Sequence, residues 1–404
     1  MTRRQRLKPV IRSIILKGFR SIPAEQVEFD NPTFLVGVNG SGKSNFVDAF
    51  AFLAESMSSP IQAVFDKRGG FRAVRHKTSE RKVWPNLGMC VEFGALNGRV
   101  IGGRYAFEIG LLPDDGFEVM REQCVVQLDN NEKYWFDRKK QKFSSSIRGL
   151  EPSLDPASLG LPVVGGDARF SPVVRTLASM RVYSLEPARL KEMQAPDSGV
   201  TLRADGSNAS SVLQEIERQS PDDVLRIGEI LASIVPHTKH VGTKRQDNRL
   251  SLQFTQEWGE KKRVRFNASN MSDGTLRALG ILMAVYQRPT PTLMVIEEPE
   301  ATIHPGALGA IGDLLSHASR KMQVVVTTHC PELLDAKWIE DRHLRMVSCE
   351  EGATRITPIS ESSRQALVRH LMGAGELLRA NALEASSLFV DVGSQPSALF
   401  EVLE

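Results

Sequence analysis

The sequence has little of what several specialised protein classes require. No apolar run reaches the roughly 18 residues needed to cross a bilayer as a helix, so no membrane-spanning role is expected. The four cysteines, Cys90, Cys124, Cys330 and Cys349, are scattered with no C-x-x-C pair. That spacing argues against a disulfide or zinc framework and reads as thiols buried in a reducing cytoplasm. The net charge is only +3, too small for the total to argue nucleic-acid binding. No sustained heptads indicate a long coiled-coil arm, and no internal repeat or low-complexity tract is visible. The basic start, Met1 to Pro9, leads into mixed polar sequence instead of a signal-peptide core. A cytoplasmic protein is the expectation.

What is present is enough apolar sequence for a sizeable core: 404 residues, 41% hydrophobic. That length suits an elaborated domain or two lobes. The chain is organised around Gly37-Val38-Asn39-Gly40-Ser41-Gly42-Lys43-Ser44, a full match to the phosphate-loop pattern G-x-x-x-x-G-K-[ST]. The apolar run Thr33 to Val36 precedes it, and Asn45 to Ala54 follows with helical spacing. Four fixed positions match by chance in roughly 1% of chains this long, and the strand and helix context lowers that further. The glycines let successive N–H groups turn inward onto a phosphate at the helix N-terminus. Lys43 would reach the β- and γ-phosphates, and the Ser44 hydroxyl would ligate Mg²⁺.

The remaining pattern is read in order. Val10 to Leu16 is a strand, Lys17 to Ile22 its polar exit, and Val27 to Phe29 a second strand. Ser58 to Pro85 reads as an exposed basic loop region, either a solvated surface or a patch facing phosphate. Strand segments at Met89–Phe93, Tyr105–Ile109, Phe117–Met120, Cys124–Leu128 and Lys133–Phe136 alternate with turn signals at 96–98 and 113–116, which suggests an antiparallel sheet. The basic run 137–142 reads as a solvated hairpin tip. Residues 144–166 read as loop and 172–236 as mainly helical. His237 and His240 lack a nearby acid or cysteine and make a weak metal set.

Three further features carry chemistry. Leu293 to Ile296 is a buried-type strand ending in Glu297 and Glu298; such a strand delivers a metal-holding carboxylate and a water-polarising one to a sheet edge. Ser272-Asp273-Gly274 opens a helix and is either an anion site or a plain N-cap. His329 ends the strand Gln323 to Thr328 and could contact a γ-phosphate. What raises these above coincidence is their order along the chain.

That order resembles the ATP-binding-cassette type ATPase heads of the branch shared by RecF, SMC and OLD proteins. The residues that carry the resemblance are Lys17-Gly18-Phe19-Arg20-Ser21, Asn39 to Asn45, Ser272-Asp273-Gly274-Thr275, Glu298-Pro299-Glu300 with His304-Pro305, and Thr327 to Pro331. It implies an α/β fold: a P-loop ABC-type head with a mostly parallel core sheet, a flanking antiparallel sheet and an inserted helical lobe. It implies ATP and Mg²⁺ bound by Asn39, Gly40, Ser41, Gly42, Lys43, Ser44 and Asn45, with Ser44 and Glu297 on the metal. Glu298 and His329 would be catalytic, and Ser272, Asp273 and Gly274 would act in trans on a partner copy's nucleotide. Glu297 stands where the family usually has Asp, and the signature lacks the transporter form Leu-Ser-Gly-Gly-Gln. Gln62, Gln123 and Gln127 are the candidates for a Mg²⁺-sensing glutamine.

The expected organisation is an N-terminal ATPase lobe (1–145), a mainly helical insertion (146–245), a C-terminal ATPase lobe (246–340) and an extension (341–404). The expected activity is an ATPase that forms a homodimer or a higher assembly of dimers and controls a DNA-directed process. Resemblance to OLD-, Septu- and PARIS-like systems points to anti-phage defence. No TOPRIM-like or H-N-H motif follows residue 340, so an effector nuclease would come from another chain. A RecF-like repair protein, contacting DNA through the loops at 67–82 and 138–142, and a slow-turnover ATP-dependent scaffold are the alternatives.

Overall fold

The computed structural model describes residues 8–77, 86–96, 99–113, 116–258, 262–386 and 398–403. They group into two compact units: Lys8–Arg181 with Arg342–Arg364 and Glu384–Glu404, and Val182–Asp341 with Gln365–Leu383.

The first unit is dominated by a seven-stranded antiparallel sheet. Its strands run in the order Ile22–Glu28, Ile11–Phe19, Asn86–Phe93, Val100–Leu111, Phe117–Leu128, Lys133–Lys139, Lys142–Ser145. The five segments expected from alternation are all here, two of them merged into one long strand. The first strand does not stop at Leu16: it continues through Lys17 to Phe19, because Phe19 is fully buried and pulls the chain end inward. The turn signals at 97–98 and 114–115 lie outside the described residues.

A short parallel pair holds the loop strand. Thr33–Val36 pairs with Leu344–Glu350 (Leu344 opposite Phe34), and Leu344–Glu350 pairs antiparallel with Ala353–Thr357. The helix Lys43–Ser56 buries Phe46, Phe50 and Phe52. Phe52 meets Phe19 at 5.8 Å and Phe65 at 5.2 Å between ring centroids, and Phe65 meets Phe71 at 5.1 Å and Phe117 at 4.8 Å. Mostly edge-to-face, these contacts add to the area each ring buries. They also correct the reading of 58–85 as exposed loop. Residues Ile61–Asp66 and Phe71–Val74 are helical, with Ile61, Val64, Phe65, Phe71 and Val74 buried; residues 78–85 lie outside the described set.

The basic hairpin is solvated at its tip, where Lys139, Lys140, Gln141 and Lys142 are exposed, but not at Asp137 and Arg138. Arg138 is fully buried, donating to the carbonyls of Lys140 (2.7 Å), Ser158 and Asp155 (2.8 Å). It lies 4.0 Å from Glu122, which is likewise fully buried. Burial pushes the Glu122 carboxyl up; hydrogen bonds from the Gly160 and Leu161 amides and the Tyr105 hydroxyl oppose that rise. Strand parity explains the outcome: Phe136 and Arg138 point to one face, so a charged run in sequence need not be a charged surface. Cys90 and Cys124 are buried as expected, whereas Cys330 is half-buried and Cys349 exposed.

In the second unit, Leu293–Glu297 and Gln323–Thr328 pair in parallel, with Glu297 opposite Thr327. The helices Asp273–Tyr286, Ala209–Gln219, Pro221–Ile234 and Leu308–Ala318 belong to the same unit. So does a three-stranded antiparallel sheet in the order Thr238–Gln246, Arg249–Trp258, Lys262–Asn267. His237 stacks on Trp258 at 4.3 Å.

Removing one partner of a buried ion pair strands the other, at a cost of about 3–5 kcal/mol. Arg138→Ala is therefore expected to lower unfolding free energy by about that amount, read as a shift in the urea midpoint, while Lys139→Ala on the exposed side of the same hairpin leaves it within about 0.5 kcal/mol.

Candidate nucleotide site

The phosphate loop is built by backbone geometry. Gly40 and Gly42 sit at φ +79° and +100°, in the left-handed region that side chains disfavour. A Cβ at Gly42 would strike the Thr354 hydroxyl and methyl, and one at Gly37 would strike the Val347 carbonyl. A Cβ at Gly40 would meet nothing within 4 Å. The loop is packed on its inner side and open on its outer side. Val38, Asn39, Gly40 and Ser44 are exposed, while Ser41 and Lys43 are buried.

Lys43 folds back across the loop: its Nζ donates to Gly37 O (2.7 Å) and Val38 O (3.0 Å). The helix begins at Gly42 with no side-chain cap, leaving its first-turn amides to point at whatever occupies the loop. The Ser41 hydroxyl is buried without a hydrogen-bond partner. An uncapped helix start, an orphaned hydroxyl and an open glycine rim are what an anion would satisfy, so these residues fit a nucleotide's phosphates.

Asn45 faces away from the open rim. Its Nδ2 donates to Ser21 Oγ (2.7 Å), and Ser21 and Thr354 share a hydroxyl hydrogen bond of 2.6 Å. Arg20, at φ +49°, donates through Nε to Asp48 (2.6 Å), and Arg68 pairs with the same carboxylate at 2.9 Å and with Glu55 at 2.6 Å. The opening Phe-Arg-Ser stretch is thus tied to the phosphate-loop helix. Arg68, from the basic segment, is spent on this network, its side chain only 5% exposed.

The second unit gathers the acids and the histidine. Glu298 follows the strand at φ +42°, a strained position for a non-glycine residue. Its N–H is held by the Thr327 carbonyl and hydroxyl, both at 3.1 Å. His329 Nδ1 lies 3.6 Å from Glu298 Oε1 and 3.8 Å from Glu300 Oε1. Glu300 is the hub: buried, it accepts from the Thr328 hydroxyl (2.6 Å) and the His329 N–H (3.2 Å). Arg277 from the signature helix donates to the Glu298 carbonyl at 3.5 Å, and its Nε is buried and unpaired. Burial pushes the Arg277 guanidinium down, with Glu298, Glu300 and Asp273 acting against it. Glu297 ends the strand, half-buried. The sequence pattern did not single out Glu300 or Arg277 for a role. The Glu-Pro-Glu spacing was the available signal for the first; nothing local marked the second.

Ser272 caps the signature helix, accepting from Thr275 N–H at 3.2 Å. Asp273 pairs with Lys191 at 2.6 Å. Gly274 packs against the Thr302 carbonyl where a Cβ would collide, so its bareness brings the 302–303 turn onto the helix start. Of the three glutamines, Gln62 donates to Asp66 (2.7 Å), Gln123 is buried against Glu401, and Gln127 is exposed on its strand.

A family model described as "AAA domain, putative AbiEii toxin, Type IV TA system" matches residues 33–335. The chain belongs to that family. No curated protein matches this AAA-domain chain. Among solved structures it is similar to "Crystal structure of the SmcHead bound to the C-winged helix domain of ScpA", at 15% identity and TM-score 0.55, covering 86% of this chain and 97% of that one. It is also similar to the Smc head domain with an extended coiled coil bound to the C-terminal domain of ScpA, derived from Pyrococcus furiosus. There the identity is 12% and the TM-score 0.55, with 90% and 99% of the two chains covered. At such identities the likeness shows the fold of this AAA-domain protein: an SMC-head type α/β ATPase domain.

The loop geometry generates a graded expectation. Gly40→Ala incurs backbone strain of about 1–2 kcal/mol and is expected to weaken binding of a non-hydrolysable ATP analogue about tenfold. Gly42→Ala adds the Thr354 collision and is expected to lower affinity at least about 100-fold, measured by calorimetric titration with circular dichroism reporting the fold.

Proposed function

We propose that this protein is an ATP-hydrolysing switch that assembles around nucleotide. The observation that carries the reading is the phosphate loop: an uncapped helix start, an orphaned Ser41 hydroxyl and a folded Lys43 on an open glycine rim. In this reading Asn39 to Ser44 hold the β- and γ-phosphates, and Asn45 braces the loop through Ser21. Ser44 and Glu297 hold Mg²⁺, which when bound neutralises charge developing on the phosphoryl oxygens. Glu298 orients and polarises the attacking water, and His329, kept in place by Glu300, contacts the γ-phosphate. Ser272 and Gly274 serve the nucleotide on a second copy, so a pair is complete where one chain is not. Loss of the γ-phosphate then removes a contact between copies, and hydrolysis becomes a release signal.

The process we infer is control of a DNA-directed event in phage defence through a separately encoded nuclease. The toxin–antitoxin wording of the family description and the partner-bound state of the Smc heads support such a role.

A DNA-contacting reading is favoured by one observation, and it moves the contact surface. Arg68 and Arg138 are buried in ion pairs and carbonyl contacts, which takes one arginine out of each of the loops at 67–82 and 138–142. The three-stranded sheet offers a different face. Leu250, Leu252 and Phe254 are buried on one side. The register puts Lys244 opposite Ser251 and Gln246 opposite Arg249 on the other, with Arg265 opposite Thr255 and Arg263 opposite Glu257. Glu257 is the one acid at the described strand positions of that face, and it pairs with Arg263 at 3.3 Å.

Two experiments test these readings. Lys43→Ala is expected to abolish ATP binding, and Glu298→Gln to keep it while cutting turnover at least about 100-fold and trapping the larger ATP-bound species in light scattering. Ser272→Arg should leave nucleotide affinity of the single chain intact and block assembly; equal mass and turnover in all variants would remove the proposed site. For the DNA reading, Arg263→Glu with Arg265→Glu is expected to flatten the salt dependence of duplex binding by about two units of log–log slope, because two phosphate contacts are lost.

A further inference from the structure

One face of the seven-stranded sheet packs on the phenylalanine core. On the other, the register aligns Ile15, Cys90, Ala106, Gln123 and Asp137 in one row across five strands. Gly88 and Arg121 stand two residues along on that face, and Arg104 two residues the other way. Residues 398–403 of the same unit lie across this row.

Every contact that holds them is one that a separate peptide could make. Leu399 is 7% exposed and clusters with Ile15, Cys90 and Ala106, with Phe400 beside it. A Cβ on Gly88 would strike Leu399, so the glycine forms the notch that admits it. Gln123, 1% exposed, reads one backbone residue in both directions: Nε2 donates to Glu401 O (3.0 Å) and Oε1 accepts from Glu401 N (2.8 Å). Arg104 donates to the Ala398 carbonyl through Nη2 and to Cys90 Sγ through Nε. The Arg121 guanidinium lies 4.4 Å from the Phe400 ring centroid, and Lys133 pairs with Glu401 at 3.3 Å. Val402 points out, 88% exposed.

A buried glutamine amide is costly unless both ends are paired. Here the backbone N–H and C=O of one residue, Glu401, pair both. We propose that this sheet face is a peptide-recognition groove for a segment of the form small–Leu–aromatic–Glu, bent at its leucine and aromatic residues. Ala398 to Glu401 fill it in cis, and the same segment of a second copy fits it in trans. Gln123 sets the backbone register, the Gly88 notch selects leucine, and Arg121 and Lys133 select an aromatic followed by an acid. The groove does not depend on the nucleotide reading, and its test needs no nucleotide.

The probe is a fluorescein-labelled peptide of the sequence 396–404, titrated by anisotropy against the full chain. Leu399→Asp with Phe400→Ser frees the groove and is expected to bind the peptide at least tenfold more tightly than the wild type, whose groove is filled. Adding Gln123→Ala to the freed chain should weaken binding at least tenfold, and adding Gly88→Val should abolish it. Alkylation of Cys90, followed with Cys330→Ser and Cys349→Ser as background, should speed up in the freed chain and slow again when peptide is added. Should the freed chain fail to fold, hydrogen exchange at amides 399–403 of the wild type replaces it. That exchange should rise with unlabelled peptide concentration as the internal segment is displaced. No saturable binding to the freed chain, binding indifferent to Gln123→Ala, or exchange indifferent to peptide would each overturn the groove.

Discussion

One close approach underlies the site in the first unit. Gly42 brings the phosphate loop so near Thr354 that no side chain fits between them, and Thr354 in turn shares a hydrogen bond with Ser21, which receives Asn45. Three pieces of chain far apart in sequence therefore meet at a residue with no side chain: the opening strand, the loop and the strand Ala353–Thr357. The left-handed φ at Gly42 turns the helix amides outward, and the same approach leaves those amides uncapped by any side chain. Binding geometry and packing are set by a single constraint, so neither can relax without the other.

Beneath the loop, the helix Lys43–Ser56 is locked to the sheet by aromatic rings, beside the Arg20–Asp48 and Asn45–Ser21 contacts at its start. Aromatic packing is rigid, and a rigid floor fixes where loop N–H groups point. In the second unit the rigidity is polar. Glu300 fixes both Thr328 and His329, and the strand-end acids sit on a parallel pair whose register aligns Glu297 with Thr327. The backbone of a half-exposed histidine is thereby tied to a buried carboxylate, with its ring Nδ1 3.8 Å from the same oxygen.

The parts of this protein that were legible in sequence are those with fixed local spacing. The eight-residue phosphate loop, the Ser-x-Gly helix start, the strand ending in acids and the strand ending in histidine each constrain only neighbours, so a linear pattern reports them. What escaped notice depends on distant partners or on strand parity. Gln123 gained its role from residue 401, 278 positions away. Arg138 was hidden in a basic run because alternation, not composition, decides which of successive charges turns inward. The helices at Ile61–Asp66 and Phe71–Val74 were masked by surrounding lysines and arginines, although their apolar residues already stood three and four apart. Arg277 lies in a mostly apolar helix, and only the folded chain brings it to the Glu298 carbonyl.

The backbone at Glu298 has a consequence for how this chain can change over time. At φ +42° the position suits glycine or asparagine better than glutamate, so an acid there costs folding stability that the role proposed for it in activating water would have to offset. In a lineage that came to use the fold only as a binding platform, that pressure would lapse. Residue 298 would then drift to asparagine or glycine ahead of the better-accommodated Glu300, leaving a sturdier protein whose substitution at one site records the loss of the proposed chemistry.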